Sequence, residues 1–158
     1  MGVFSIRYLA ISKAPNYLAY AVFRDEVLEE YGVETFREFD EVLRLKEVFN
    51  LVTEIIGSTK THVVVTHSLD VEKLLKKDLE RLTEFKAMIK LSTIQTQRLY
   101  LEAKTTGWEK KILGRVTKAR KLQLVHDGYD VQLDGVHAEN IADAIILGEA
   151  VAHKRIHV

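Results

Sequence analysis

Two turn signals set close together constrain this chain more than any other feature: Lys13-Ala14-Pro15-Asn16 and, after one short apolar run, Asp25-Glu26. They divide the opening stretch into three β-rich runs, Ile6 to Ser12, Leu18 to Arg24 and Val27 to Phe36. Runs of this length with such short connections pair with their sequence neighbours, which predicts a three-stranded antiparallel meander. The pattern then changes period. Between Asp40 and Ile56 the apolar residues Val42, Leu45, Phe49, Val52 and Ile56 recur every three or four positions, the spacing of a helix, with Gly57 as its expected stop.

Beyond that helix, Val63-Val64-Val65 has the composition of a fully buried strand, added parallel to the first. A second helix is predicted from about Asp70 to Phe85, a strand over Met88 to Ile94, and a short helix near Gln97 to Ala103. Thr106 and Glu109 fit a capping box, from which a helix extends to Gly128 with Trp108, Ile112, Val116, Ala119 and Leu122 on one side. A last helix, rich in Ala, Ile and Leu, runs from Ala138 to His153. The sum is one α/β domain over residues 1–158: a mixed five-stranded sheet, three strands antiparallel and two parallel, with helices on both faces.

Composition narrows the chemistry. The chain has 158 residues, 47% of them apolar, enough for one core, and no cysteine, which removes disulfides, thiolate metal sites and cysteine nucleophiles. The longest apolar run, Ala144 to Ala152, is broken by Glu149 and falls far short of the ~20 residues that span a bilayer. Arg7 and Lys13 interrupt the early apolar stretch before it could serve as a signal peptide, so a cytoplasmic location and no membrane contact are expected. The 23 basic and 23 acidic residues cancel, but they are unevenly placed. Asp25 to Glu54 holds ten acidic residues against three basic, whereas Arg98 to Lys121 holds eight basic against two acidic. Arg98, Lys104, Lys110, Lys111, Arg115, Lys118 and Lys121 are accordingly the candidate nucleic-acid-binding residues. Equally, both runs could be solvated helix faces.

Three stretches narrow the fold further. Ile11 to Phe23 has the length and apolar rhythm of one family's first hairpin; Gly107, Lys110 and Lys111 look like its Gly and Lys before a helix; and Glu139-Asn140-Ile141-Ala142-Asp143-Ala144-Ile145 looks like its closing Asp-x-x-Asp-Ala-Leu helix. In order and spacing, over nearly the whole chain, the sequence resembles the RuvC-type Holliday-junction resolvases, of ribonuclease H-like fold. In that family, four carboxylates from strand 1, strand 4 and the last helix hold two divalent cations that activate water and stabilise the leaving oxygen of a phosphodiester. Carried over by position, Ser12 stands at the strand 1 Asp, Thr66 at the strand 4 Glu, and Asn140 and Asp143 at the last-helix pair, with Glu139 adjacent. The residual candidate catalytic acids are therefore Asp143 and Glu139 alone. No Asp or Glu lies between Val3 and Asn16 or between Thr59 and Leu69, so a slip of register supplies no acid.

The expectation is a catalytically degenerate RuvC-like domain, with no metal and no cofactor, that binds nucleic acid and in particular branched DNA. One alternative is an active Holliday-junction-type endodeoxyribonuclease, using Mg²⁺ or Mn²⁺ in an atypical site. The other is a non-catalytic scaffold or regulatory domain working through its acidic stretch, so enzyme status is left open, leaning towards none. His153 and His157 are spaced for one helix face but lack an evident third ligand; His62 and His67 bracket the Val63-Val64-Val65 strand, and His67 with Thr66 lies at the edge where the resemblance places the active site, either as a hydrogen-bonded surface residue or as a ligand contact. Leu74, Leu75, Leu79, Leu82 and Phe85 offer an apolar helix face that a homodimer would cover.

Overall fold

The computed structural model describes residues 5–67, 76–103 and 117–152. β1 (Arg7–Lys13), β2 (Tyr17–Arg24) and β3 (Val27–Thr35) form the expected antiparallel meander. Its first turn closes with a hydrogen bond from Ala14 N to Tyr17 O at 2.9 Å. In the second, Asp25 adopts a left-handed φ of 53° and its carboxylate accepts from Ile6 N at 3.1 Å. β4 (Val63–His67) and β5 (Leu99–Ala103) extend the sheet in parallel beyond β1, giving the order β3-β2-β1-β4-β5.

Side-chain alternation gives the sheet two apolar faces. On one, Leu9, Ile11, Val22 and Val64 pack against α1 (Glu41–Thr59) and α2 (Lys76–Gln95) through Val48, Val52, Ile56, Phe85 and Ile89. On the other, Ala10, Ala21, Phe23 and Val65 meet α4 (Ala138–Ala152), with α3 (Lys118–Tyr129) packed beside that helix. Helices thus cover both faces, as expected. Asp40 caps α1 by accepting from Val42 N at 2.9 Å and Leu43 N at 3.0 Å, which satisfies two of the amides a helix start leaves open.

Four expectations are corrected. Gly57 lies inside α1; the helix runs on to Thr59, and Lys60, with φ 53°, is the left-handed residue that ends it. The predicted strand over Met88 to Ile94 is helix, because Leu82, Phe85, Ile89, Ser92 and Thr93 continue one buried stripe through α2 until Gln97 turns left-handed at φ 57°. The predicted helix near Gln97 to Ala103 is β5, an edge strand drawn into the sheet by β4. No single helix joins Glu109 to Gly128: Thr117 is extended, with φ −121° and ψ 159°, and caps a fresh helix by accepting from Arg120 N. Of the apolar α2 face that suggested a homodimer, Leu82 and Phe85 lie in the core and Leu79 is half-buried. Leu74, Leu75, Asp70, Trp108 and the pair His153 and His157 fall outside the described residues. Among those that are described, no helix is long and apolar enough to cross a membrane.

α4 comes close to the sheet at Gly148. A Cβ there would lie 2.5 Å from the buried Phe23 ring and 3.3 Å from Ala10 Cβ. Helix propensity favours alanine by roughly 1 kcal/mol, but overpacking of this kind costs about 1–3 kcal/mol. Gly148→Ala is therefore expected to lower stability in urea unfolding, and Phe23→Leu in the same chain to recover part of the loss.

Candidate functional site

Paired residues across parallel strands point the same way. Leu9 pairs with Val64, Ala10 with Val65 and Ile11 with Thr66, so Thr66 shares the α1/α2 face with Ile11. One step on, Ser12 and His67 stand side by side on the face covered by α4. The residue beside Ser12 is thus His67, one place along from the Thr66 that positional matching selects. Thr66 is fully buried on the opposite side, where its hydroxyl shares a 2.6 Å hydrogen bond with Tyr100.

On the α4 face the side chains converge from four elements. Glu139 and Asp143, four apart on α4, share one side of that helix. Lys121, from the first turn of α3, reaches between them, with Nζ 2.8 Å from Asp143 Oδ1 and 3.4 Å from Glu139 Oε1. Its side chain is only 12% exposed, and that of Asp143 only 18%. Asn140 donates from Nδ2 to the hydroxyl of Tyr17 on β2, whose ring meets His137 edge to face at 4.2 Å. Burial, aided by the charges of Glu139 and Asp143, raises the Tyr17 phenol. Burial also raises the Asp143 carboxyl, while the Lys121 ammonium works against it. Partly exposed His67 is pushed down to about 3 by burial, then by Lys13 and Lys121, and stays neutral at ordinary pH.

A second, separate cluster lies on the α1/α2 face of the same sheet edge. Lys13 curls over the end of β4 and donates to His67 O at 3.3 Å. Glu102 on β5 pairs with Lys86 at 3.0 Å and with Lys90 at 4.0 Å, and Lys90 lies 5.4 Å from the centre of the Tyr100 ring. Burial, reinforced by Glu102, lifts the Tyr100 phenol to about 12, the hydrogen bond with Thr66 opposing.

The candidate basic residues are not all neighbours. Lys118 is exposed one turn from the inward-facing Lys121. Arg98 precedes β5 beside His62, at the sheet edge opposite Ser12 and roughly 16 Å of strand away. Lys104, Lys110, Lys111 and Arg115 lie outside the described residues. His67 is the site residue that positional matching passed over; strand alternation from Ala10 and Val65 would have found it.

Among the described residues, the centre offers few ligands for a pair of divalent cations. Hard dications need several anionic oxygens. This face offers two carboxylates, both engaged by an ammonium, beside a hydroxyl, an amide and an imidazole. Among the described residues, no three His, Asp or Glu side chains are grouped so as to hold a metal ion.

Burial, with the nearby charge of Lys86, lowers Lys13 from 10.5 to about 8, against the pull of Glu102. A lysine lower in the folded than in the unfolded chain weakens the fold while charged. Stability should therefore rise between about pH 8, where the folded group gives up its proton, and pH 10.5, where the unfolded one does. Lys13→Met is expected to stabilise the protein at pH 7 by about 1–2 kcal/mol and to flatten that rise, as measured by urea midpoints at pH 7 and 10. An unaltered slope would place its source elsewhere.

No protein-family model matches this sequence, and no curated protein does. Solved structures do. A structure of Thermus thermophilus RuvC matches with a TM-score of 0.73 at 10% identity, over 95% of this chain and 96% of that one. T. thermophilus RuvC in complex with a Holliday junction substrate gives 0.75 at 12%, over 95% and 96%. The yeast mitochondrial Holliday junction resolvase gives 0.71 at 10%, over 93% of this chain and 78% of that one. The chain has the RuvC-like, ribonuclease H-like fold.

Proposed function

We propose that this chain is a nucleic-acid-binding domain, directed at branched DNA, that does not cut by a two-metal route. The observation that carries the second half is the Lys121 ammonium paired with both Asp143 and Glu139. An ammonium donates hydrogen bonds but has no open coordination position, so it cannot bring a water towards hydroxide as a metal does. The neutral imidazole of His67 and the Ser12 hydroxyl add no negative charge that would recruit one.

Two supports favour nucleic acid as the partner. The fold is shared with a RuvC determined on a Holliday junction. The stretch Arg98 to Lys121 concentrates eight basic residues in a chain of zero net charge. Lysines that meet phosphates release counterions, which makes such binding steeply salt-dependent, with recognition resting on the shape of the branch point.

The test is fluorescence anisotropy with four-way junction, duplex and single-stranded DNA over a salt series, alongside cleavage assays in Mg²⁺ and Mn²⁺. The expected outcome is tighter binding to the junction and no cutting. Lys111→Glu with Lys118→Glu should weaken binding by roughly tenfold or more and lower the salt slope by about two, with the fold intact. Cutting that disappears in Asp143→Asn would establish a nuclease instead. Absence of binding at low salt would leave the acidic stretch from Asp25 to Glu54, and protein contacts, as the reason for the fold.

A further inference from the structure

We infer that Lys121 is the resident cation of this centre: its ammonium occupies the carboxylates of Asp143 and Glu139 and thereby excludes a divalent ion that those two groups would otherwise attract.

The geometry makes the lysine part of the centre rather than a surface ion pair. Nζ lies within 3.4 Å of both carboxylates, and the side chains of Lys121 and Asp143 are largely buried, while that of Glu139 is partly exposed. Its backbone is fixed by the first turn of α3, which Thr117 caps, and α3 packs directly against α4. Lys121 also bears electrostatically on His67 at the end of β4, after burial and Lys13. Two carboxylates four apart on one helix face repel each other; a single positive charge between them relieves that repulsion and supplies hydrogen bonds to both. Without it, the pair would present adjacent anionic oxygens on a half-buried surface, which is the start of a hard-cation site. Lys121 was singled out as one of a row of phosphate-binding lysines, but its charge is turned inward.

This inference rests on the non-cutting half of the functional reading, which the same ammonium carries, and holds whether or not nucleic acid binds; failure of DNA binding in anisotropy leaves it standing, and Mn²⁺ uptake by wild type sinks it without touching DNA binding. The probe is Mn²⁺, followed by electron paramagnetic resonance of the free ion and by thermal unfolding in EDTA and in millimolar Mn²⁺. Wild-type protein should leave the Mn²⁺ signal and the Tm unchanged. Lys121→Met keeps most of the packing stem and removes the charge. It should lower Tm in EDTA by roughly 5 °C or more, regain part of that loss in Mn²⁺, and take up Mn²⁺ at least tenfold more tightly than wild type. Lys121→Arg, which retains the charge, should stay indifferent to Mn²⁺, a distinction that loss of packing alone would not produce. Should Lys121→Met fail to fold, Lys121→Met with Asp143→Asn is the deciding variant: restored folding without a Mn²⁺ response supports the inference, and continued failure overturns it. Mn²⁺ binding by wild type that Asp143→Asn abolishes would overturn it, as would a Lys121→Met protein with unchanged Tm and no Mn²⁺ uptake.

Discussion

Parallel pairing of β1 with β4 ties the direction of every side chain on one strand to that of its partner, and both strands are buried on both faces. Ala10 and Val65 must look towards α4 because Leu9 and Val64 look towards α1 and α2. The last residues of the two strands inherit that alternation, which brings Ser12 and His67 to the α4 side and sends Lys13 and Thr66 to the other. Two polar clusters therefore sit back to back across a single sheet edge. One is organised around Lys121, Asp143 and Glu139, and the other around Glu102, Lys86 and Tyr100.

How much of this could be read from the sequence depended on whether local pattern and tertiary environment agreed. The meander and α1 were legible because turn residues and a three-four apolar spacing over Val42 to Ile56 both act locally. The stretch from Lys86 to Ala103 misled because its helical part carries β-favouring Ile89, Thr93 and Ile94, while β5 has only five residues and is strand by virtue of pairing with β4. The break at Thr117 was missed because the lysine spacing on either side of it continues a helical rhythm. Of the site, the last-helix residues were found directly. His67 was legible only as a residue at that edge beside Thr66, because an alignment of letters does not register which way a strand residue faces.

Lys121 shows the same limit from another side. Sequence places it in a basic run, where charge alone suggests a solvated face, and nothing local distinguishes it from Lys118 three residues earlier. Only the packing of α3 against α4 turns one lysine inward and leaves the other exposed. Charge patterning thus identified the right segment, while the division of labour within it is a tertiary property.

The seat of α4 on the sheet has a further consequence. Gly148 against Phe23, with Ala10 beside it, lets the helix backbone lie this close to the sheet and leaves no room for a larger residue. The contact sets how near α4 lies to β1 and β2, and the backbone beside the cleft serves as a jig. Within such a jig, a change of chemistry proceeds through exchange of individual side chains, with no remodelling of the main chain. An architecture held this closely is a ready starting frame for laboratory redesign.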